Sequence, residues 1–140
     1  MKLLSHFLAV LASCFMITAS SVSIVSIVGA ETIQVKPIKT SSDNRYEQFL
    51  DGTILDKDTK LMWMSYDYWQ MEHNWVNWYT ANEYVQRINN KKFAGYSDWR
   101  LPSVEEATTL YERRKRNTDK DGDKIFIDSL FPEGAGWSTW

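Results

Sequence analysis

The chain has one cysteine, Cys14, and two histidines, His6 and His73, among 140 residues. One thiol builds no disulfide framework and no cysteine zinc site. His73 has no serine and acid partners in a recognisable pattern, so a nucleophilic triad finds no support. The sequence also lacks a phosphate-binding glycine loop, a nucleophile elbow and a metalloprotease helix. Charge of either sign is not in large excess: 16 basic and 18 acidic side chains leave a net −2. That balance argues against a generic nucleic-acid binder. Long apolar runs are missing everywhere except at the start.

There, Met1-Lys2 precedes an uncharged stretch from Leu3 to Ala30, closed by the small residues Val28-Gly29-Ala30. A short positive start, an apolar middle and a small-residue ending predict a secretory signal peptide over residues 1–30. The mature protein is then secreted or periplasmic, at the bacterial envelope, with no stable membrane insertion. An uncleaved anchor is the competing reading, because the stretch exceeds the roughly 20 residues that span a bilayer. A third reading is lipidation at Cys14, after Leu11-Ala12-Ser13, although the chain stays apolar well beyond that point. Cleavage after Ala30 removes the only thiol, and with it any thiol chemistry. What remains, residues 31–140, carries 15 basic and 18 acidic groups and suffices for one small domain. Its 18 aromatic residues outnumber its 16 Ile, Leu and Val residues, an inversion that needs explaining.

Residues 31–45, with Pro37 among Thr, Ser, Asp and Asn, read as a linker or loosely held arm. The domain proper is expected over 46–140. Residues 46–50 and 53–55 flank Asp51-Gly52, a dipeptide suited to a tight hairpin turn. Asp56–Lys60 makes a second turn before a third strand, Leu61-Met-Trp-Met64. Ser65–Asn74 reads as an aromatic loop. Trp78, Ala81, Val85 and Ile88 then recur at helical spacing, and Asn89-Asn90 ends that helix. Ser103 with Glu106 forms a capping box for a second helix. Its apolar face is expected to carry Val104, Ala107, Thr108 and Tyr111, and it ends in Arg113–Arg116. Short antiparallel strands with two helices make an α+β domain.

Three segments together resemble the Lcl C-terminal domain family, a bacterial family of unknown function named after a collagen-like adhesin. The first is Phe49-Leu-Asp-Gly-Thr-Ile-Leu-Asp-Lys-Asp-Thr-Lys-Leu-Met-Trp63. The second is Phe93-Ala-Gly-Tyr-Ser-Asp-Trp-Arg-Leu-Pro102 with Ser103 and Glu105. The third runs from Ile127-Asp128 through Phe131-Pro132 to Trp137-Ser-Thr139. The resemblance spans residues 46–140 and implies a C-type-lectin-like architecture, export and no enzymatic activity. For the named adhesin it implies binding of sulfated polysaccharide. Family domains continue past the last run with several strands, so the resemblance also implies a domain left incomplete at Trp140.

Residues 117–128 fit the spacing of a calcium loop. Asn117, Asp119 and Asp121 stand at the first, third and fifth positions, Gly122 at the sixth, Asp123 offers its carbonyl at the seventh, and Asp128 closes the loop. Asn at the start, a short acid at the end, and Lys120 and Lys124 inside predict weak Ca²⁺ affinity; the competing reading is a solvated acidic turn. Tyr66, Tyr68, Trp69 and Trp75 fall in the polar aromatic loop and are candidates for stacking on sugar faces, whereas Trp63, Trp78, Trp99 and Trp137 are expected in the core. Arg113, Arg114 and Arg116 are candidates for an anionic polymer, against the simpler reading of cations at a helix C-terminus. Asp98 and Arg100 are expected in a structural network. The sequence therefore predicts an exported, non-enzymatic binding module for carbohydrate or an anionic polymer. The alternative is a protein-interaction domain of an envelope assembly.

Overall fold

A computed structural model describes residues 2–3 and 36–135. The rest of the leader, the Cys14 lipidation site and Trp137 lie outside the described residues. Five short strands form one antiparallel sheet: β1 (Lys2–Leu3), β2 (Lys39–Thr40), β3 (Tyr46–Gln48), β4 (Thr53–Asp56) and β5 (Leu61–Met64), in the order β1-β5-β4-β3-β2. Three helices follow, α1 (Tyr68–Glu72), α2 (Trp78–Asn90) and α3 (Val104–Thr108), with a single 3₁₀ turn at Phe93–Gly95. A two-stranded ribbon, β6 (Asn117–Thr118) and β7 (Lys124–Ile125), completes the described part. Among the described residues the α+β class holds, with three helices in place of the two expected.

Local chemistry sets the meander. Phe49 N–H donates to the Thr53 carbonyl and Gly52 N–H to the Phe49 carbonyl, so the β3–β4 connection is a four-residue turn. Gly52 adopts φ +86°, a conformation that costs glycine little. Asp51 Oδ1 accepts from both the backbone and the hydroxyl of Thr53, at 3.1 and 2.7 Å. In the next turn, the Asp56 carboxylate accepts the backbone N–H of Asp58 at 3.0 Å and of Thr59 at 3.4 Å. The same carboxylate is fully buried and held by Arg45, Nε to Oδ1 at 3.0 Å and Nη2 to Oδ2 at 2.7 Å. Burial alone raises the pKa of such an acid; here Arg45 and the turn N–H groups outweigh it and hold Asp56 below the usual carboxylate range.

Alternation along β4 and β5 distributes their side chains to two cores. Ile54, Leu61 and Trp63 pack with Tyr46, Leu130 and Phe131 on one side. Met62, with Leu55 and Met64 against it, packs with Ile88 of α2 and Trp99 on the other. A strand covered on both faces has no polar side to show, which is why Leu61–Met64 reads as an unbroken apolar run. Trp99 is anchored by Asn89, whose amide donates to the Trp99 carbonyl at 2.8 Å and accepts its N–H at 2.7 Å. The indole N–H of Trp99 reaches the Phe93 carbonyl at 3.0 Å.

Four local expectations change. The supposed loose arm reaches the sheet: Ile38 N–H donates to the Gln48 carbonyl, and β2 pairs with β3. Part of the supposed aromatic loop is helix α1, because Asp67 and Gln70 form a reciprocal capping box. Trp78 is 59% exposed rather than in the core, because the buried stripe of α2 begins one turn later at Ala81. The third helix stops at Thr108 and never reaches the basic run. There the Thr109 hydroxyl takes the Glu106 carbonyl and Arg45 takes the Thr109 carbonyl. The Glu106 carbonyl thus accepts both the N–H and the hydroxyl of Thr109, and the Thr109 carbonyl is taken by a side-chain donor as the helix ends. Its start is as expected, with Ser103 and Glu106 capping reciprocally.

Candidate functional site

Beyond the end of β5, a cleft of about 480 Å³ opens between the sheet, α2 and the 124–135 segment. Trp63 of β5 and Ser65, just beyond it, are among its lining residues. Tyr84 and Ile88 come from α2, and Ile125 and Ile127 from β7 and the residues after it. Tyr66, Tyr68 and Tyr111 add phenol rings, and most of the lining is apolar. Burial and the nearby Glu72 push the Tyr84 phenol upward, so this wall stays neutral at physiological pH. Arg100 also lines the cleft and holds Glu106 through two parallel bonds of 2.7 and 2.6 Å. Those bonds bring the Glu106 carboxyl down to about 2. The expected structural role of Arg100 is thus a bidentate lock on the α3 cap.

The candidate sugar-stacking residues divide. Tyr66 and Tyr68 line the cleft, and Tyr68 packs edge-on against Tyr84 at 5.0 Å between ring centres. Trp69 and Trp75 instead pack against each other at 4.9 Å, and the Lys120 ammonium lies 5.1 Å from both rings. Lys120 also pairs with Asp121, so the cation that interrupts the acidic loop serves to dock that loop onto α1. Trp75 remains about half exposed beside the exposed Trp78 and Tyr79. The basic run divides as well. Arg113 and Arg114 are exposed. Arg116 lies over the Phe126 ring at 4.8 Å, and Phe126 meets Tyr111 at 5.5 Å. Both rings line the cleft; Arg116 itself does not, and its guanidinium also donates to the carbonyls of Arg113 and Lys115.

The calcium spacing does not gather a carboxylate cluster. Among the described residues no group of three His, Cys, Asp or Glu side chains is placed to hold a metal. Asn117 is buried and turned inward, its amide donating to the carbonyls of Asp128 and Phe131. Asp119 spends one oxygen on the backbone N–H of Asp121 and Asp123. The Asp123 carbonyl accepts the Asp119 N–H. Asp128 accepts the Leu130 N–H at 2.7 Å and the Lys115 ammonium at 2.6 Å. Lys115 bridges Asp128 and Asp43, and these bonds outweigh burial to raise its pKa. The Lys115 ammonium thus occupies the loop's closing carboxylate, the position where the spacing expects a cation ligand.

Sequence reasoning missed Ser65, Lys120 and the Arg45–Asp56 pair. Asp67-x-x-Gln70 was a visible helix start, whereas the partners of Lys120 and Arg45 are distant in sequence and had no local signal.

The fold and its cleft define a small α+β domain with a pre-formed pocket. The Lcl C-terminal domain family model matches residues 52–140, and the chain belongs to that family. Comparisons with curated proteins and with solved structures gave no match. Among the described residues no helix is long and apolar enough to cross a membrane.

Proposed function

We propose that this chain is an exported, non-enzymatic binding module of C-type-lectin-like architecture that takes carbohydrate or an anionic polymer at the bacterial envelope. The observation that carries this reading is the cleft itself, lined by Tyr66 and Tyr68, singled out as stacking residues, and by Tyr111 and Phe126, the ring over which Arg116 lies. Aromatic rings cover the apolar faces of a pyranose, and an arginine at the rim meets sulfate or carboxylate. Export is supported by the pattern of residues 1–30, and the lectin-like architecture by the family. The non-enzymatic reading rests on the sequence, which lacks recognisable catalytic motifs. The loop at 117–128 is read as structural, with Asp128 engaged by Lys115, Asp121 by Lys120 and Asp119 by backbone N–H groups.

A glycan array that includes sulfated polysaccharides, probed with the full chain, tests the proposal. Saturable binding that weakens on Tyr66→Ala and on Arg116→Ala is expected; a blank array overturns it. One observation favours a second reading, a protein-interaction domain. Met71, Trp75, Trp78 and Tyr79 are all at least half exposed around the start of α2. Such a surface suits a protein partner. Under that reading Trp78→Ala abolishes co-purification of an envelope protein while the glycan array stays blank.

A further inference from the structure

The two sides of the five-stranded sheet are built differently. β2, at one side, carries the exposed Lys39, and Pro37 stands two residues before it. Charge and proline are the usual means by which an outer strand turns away a further one. β5 is Leu61-Met-Trp-Met64, with no charge, no proline and no glycine. Its side chains feed both cores, as those of an interior strand do. Among the described residues its only outer neighbour is β1, two residues of the leader, with Lys2 opposite Met62 and Leu3 opposite Leu61.

Cleavage after Ala30 takes β1 away. The backbone N–H and C=O groups on that side of β5 then lose their partner strand, on an edge that no charge protects. The leader strand shows that a neighbour has room there and lies antiparallel. A second copy of the same edge, related by a two-fold axis, is antiparallel by symmetry. An axis at Met62 sets Lys60 opposite the partner's Met64, and an axis at Trp63 sets it opposite the partner's Tyr66. Neither register opposes like charges. Because β2 turns a neighbour away, association closes at two chains instead of running on into a fibre. We infer that the mature protein dimerises by pairing β5 with β5 of a second copy, and that the leader covers this edge until it is cleaved. The inference goes beyond the binding reading and rests on residues 1–30 being a cleaved leader.

The full chain, expressed in a bacterium and recovered after export, tests it through intact mass, sedimentation equilibrium and amide hydrogen exchange. The expected protein lacks residues 1–30 and is a dimer that dissociates on dilution. Exchange at the amides of 61–64 that face away from β4 is expected to slow by about tenfold or more between the dilute and the concentrated sample. A monomer in which those amides exchange freely overturns the inference. So does a monomer that protects them at every concentration, which gives the edge to another segment of the same chain. A dimer whose 61–64 amides do not respond to dilution pairs through another surface, such as Trp75 and Trp78, and overturns it too. In these three cases a mass without the leader leaves the export reading standing. A mass that retains the leader removes the export reading and this inference together.

Discussion

Replacing Arg45 by Met should cost more stability than any single change on the surface of this domain. The substitution keeps an unbranched stem and removes the charge from a carboxylate with no exposed surface. Asp56 would keep the N–H groups of Asp58 and Thr59, at 3.0 and 3.4 Å, and the Thr59 side chain, all uncharged, against a buried negative charge. Removing one partner of a buried pair costs about 3–5 kcal/mol. Arg45 also donates to the Thr109 carbonyl at 3.0 Å, pairs with Glu112 at 3.2 Å and lies over the Tyr46 ring at 4.6 Å. The upper half of that range is therefore expected, about 4 kcal/mol. Against a total of about 5–15 kcal/mol for a domain, this leaves the variant marginal.

The pH dependence separates this mechanism from simple loss of packing. In the native protein the Asp56 pKa is lowered, so its contribution is present above the unfolded value near 3.9 and is lost as the pH falls through the folded value. Without Arg45, burial is left to act and the folded pKa rises above the unfolded one. Protonation then favours the folded variant, and the penalty shrinks as the pH falls from 7 towards 4. Urea unfolding followed by tryptophan fluorescence at pH 7, 5 and 4 measures both effects. A cost below about 1 kcal/mol at pH 7, or the same cost at pH 4 and pH 7, would refute the reasoning.

Gly52→Ala places a Cβ at φ +86° and 3.2 Å from Phe93 Cζ, so a loss of about 1–2 kcal/mol is expected in the same unfolding assay. Asn89→Ala leaves both backbone groups of the buried Trp99 without their amide partner. About 2–3 kcal/mol should be lost, and hydrogen exchange at the Trp99 N–H should accelerate. Calorimetry with Ca²⁺ should give no saturable heat for the full chain, because Lys115 holds Asp128. Saturable heat would restore the metal reading of residues 117–128. Trp75→Ala should release the Lys120 ammonium from one of its two rings, with the 117–124 loop gaining proteolytic sensitivity while the melting temperature holds within a few degrees.

Where the structure describes them, the three family segments are largely fold chemistry, as the sequence reading expected for Asp98, Arg100 and the core tryptophans Trp63 and Trp99. Asp51 and Asp56 hold turns, Trp99 fills the core beside α2, Arg100 locks Glu106, and Asp128 takes Lys115. Family membership was legible because these residues act through neighbours a fixed few positions away. The meander, the boundaries of α2 and the Ser103 capping box were legible for the same reason: turn, period and cap are local. The cleft was not. Tyr66 and Tyr68 were chosen for their type, and nothing in their spacing distinguishes them from Trp69, which faces Trp75 and Lys120 instead. Trp63 was rightly placed in the core, but its packing against Tyr46, Leu130 and Phe131 is visible only once the whole neighbourhood is assembled.

By itself the sequence determined the class of fold, the turns and caps, the family and the excess of aromatic side chains. These follow from interactions within a few residues, where spacing and geometry coincide. Tertiary structure decided which aromatics are walls and which are anchors, which acids are paired, and where an apolar cleft opens. Those outcomes depend on contacts between residues as far apart as Arg45 and Thr109, or Trp69 and Lys120. Only the folded chain brings such partners within reach.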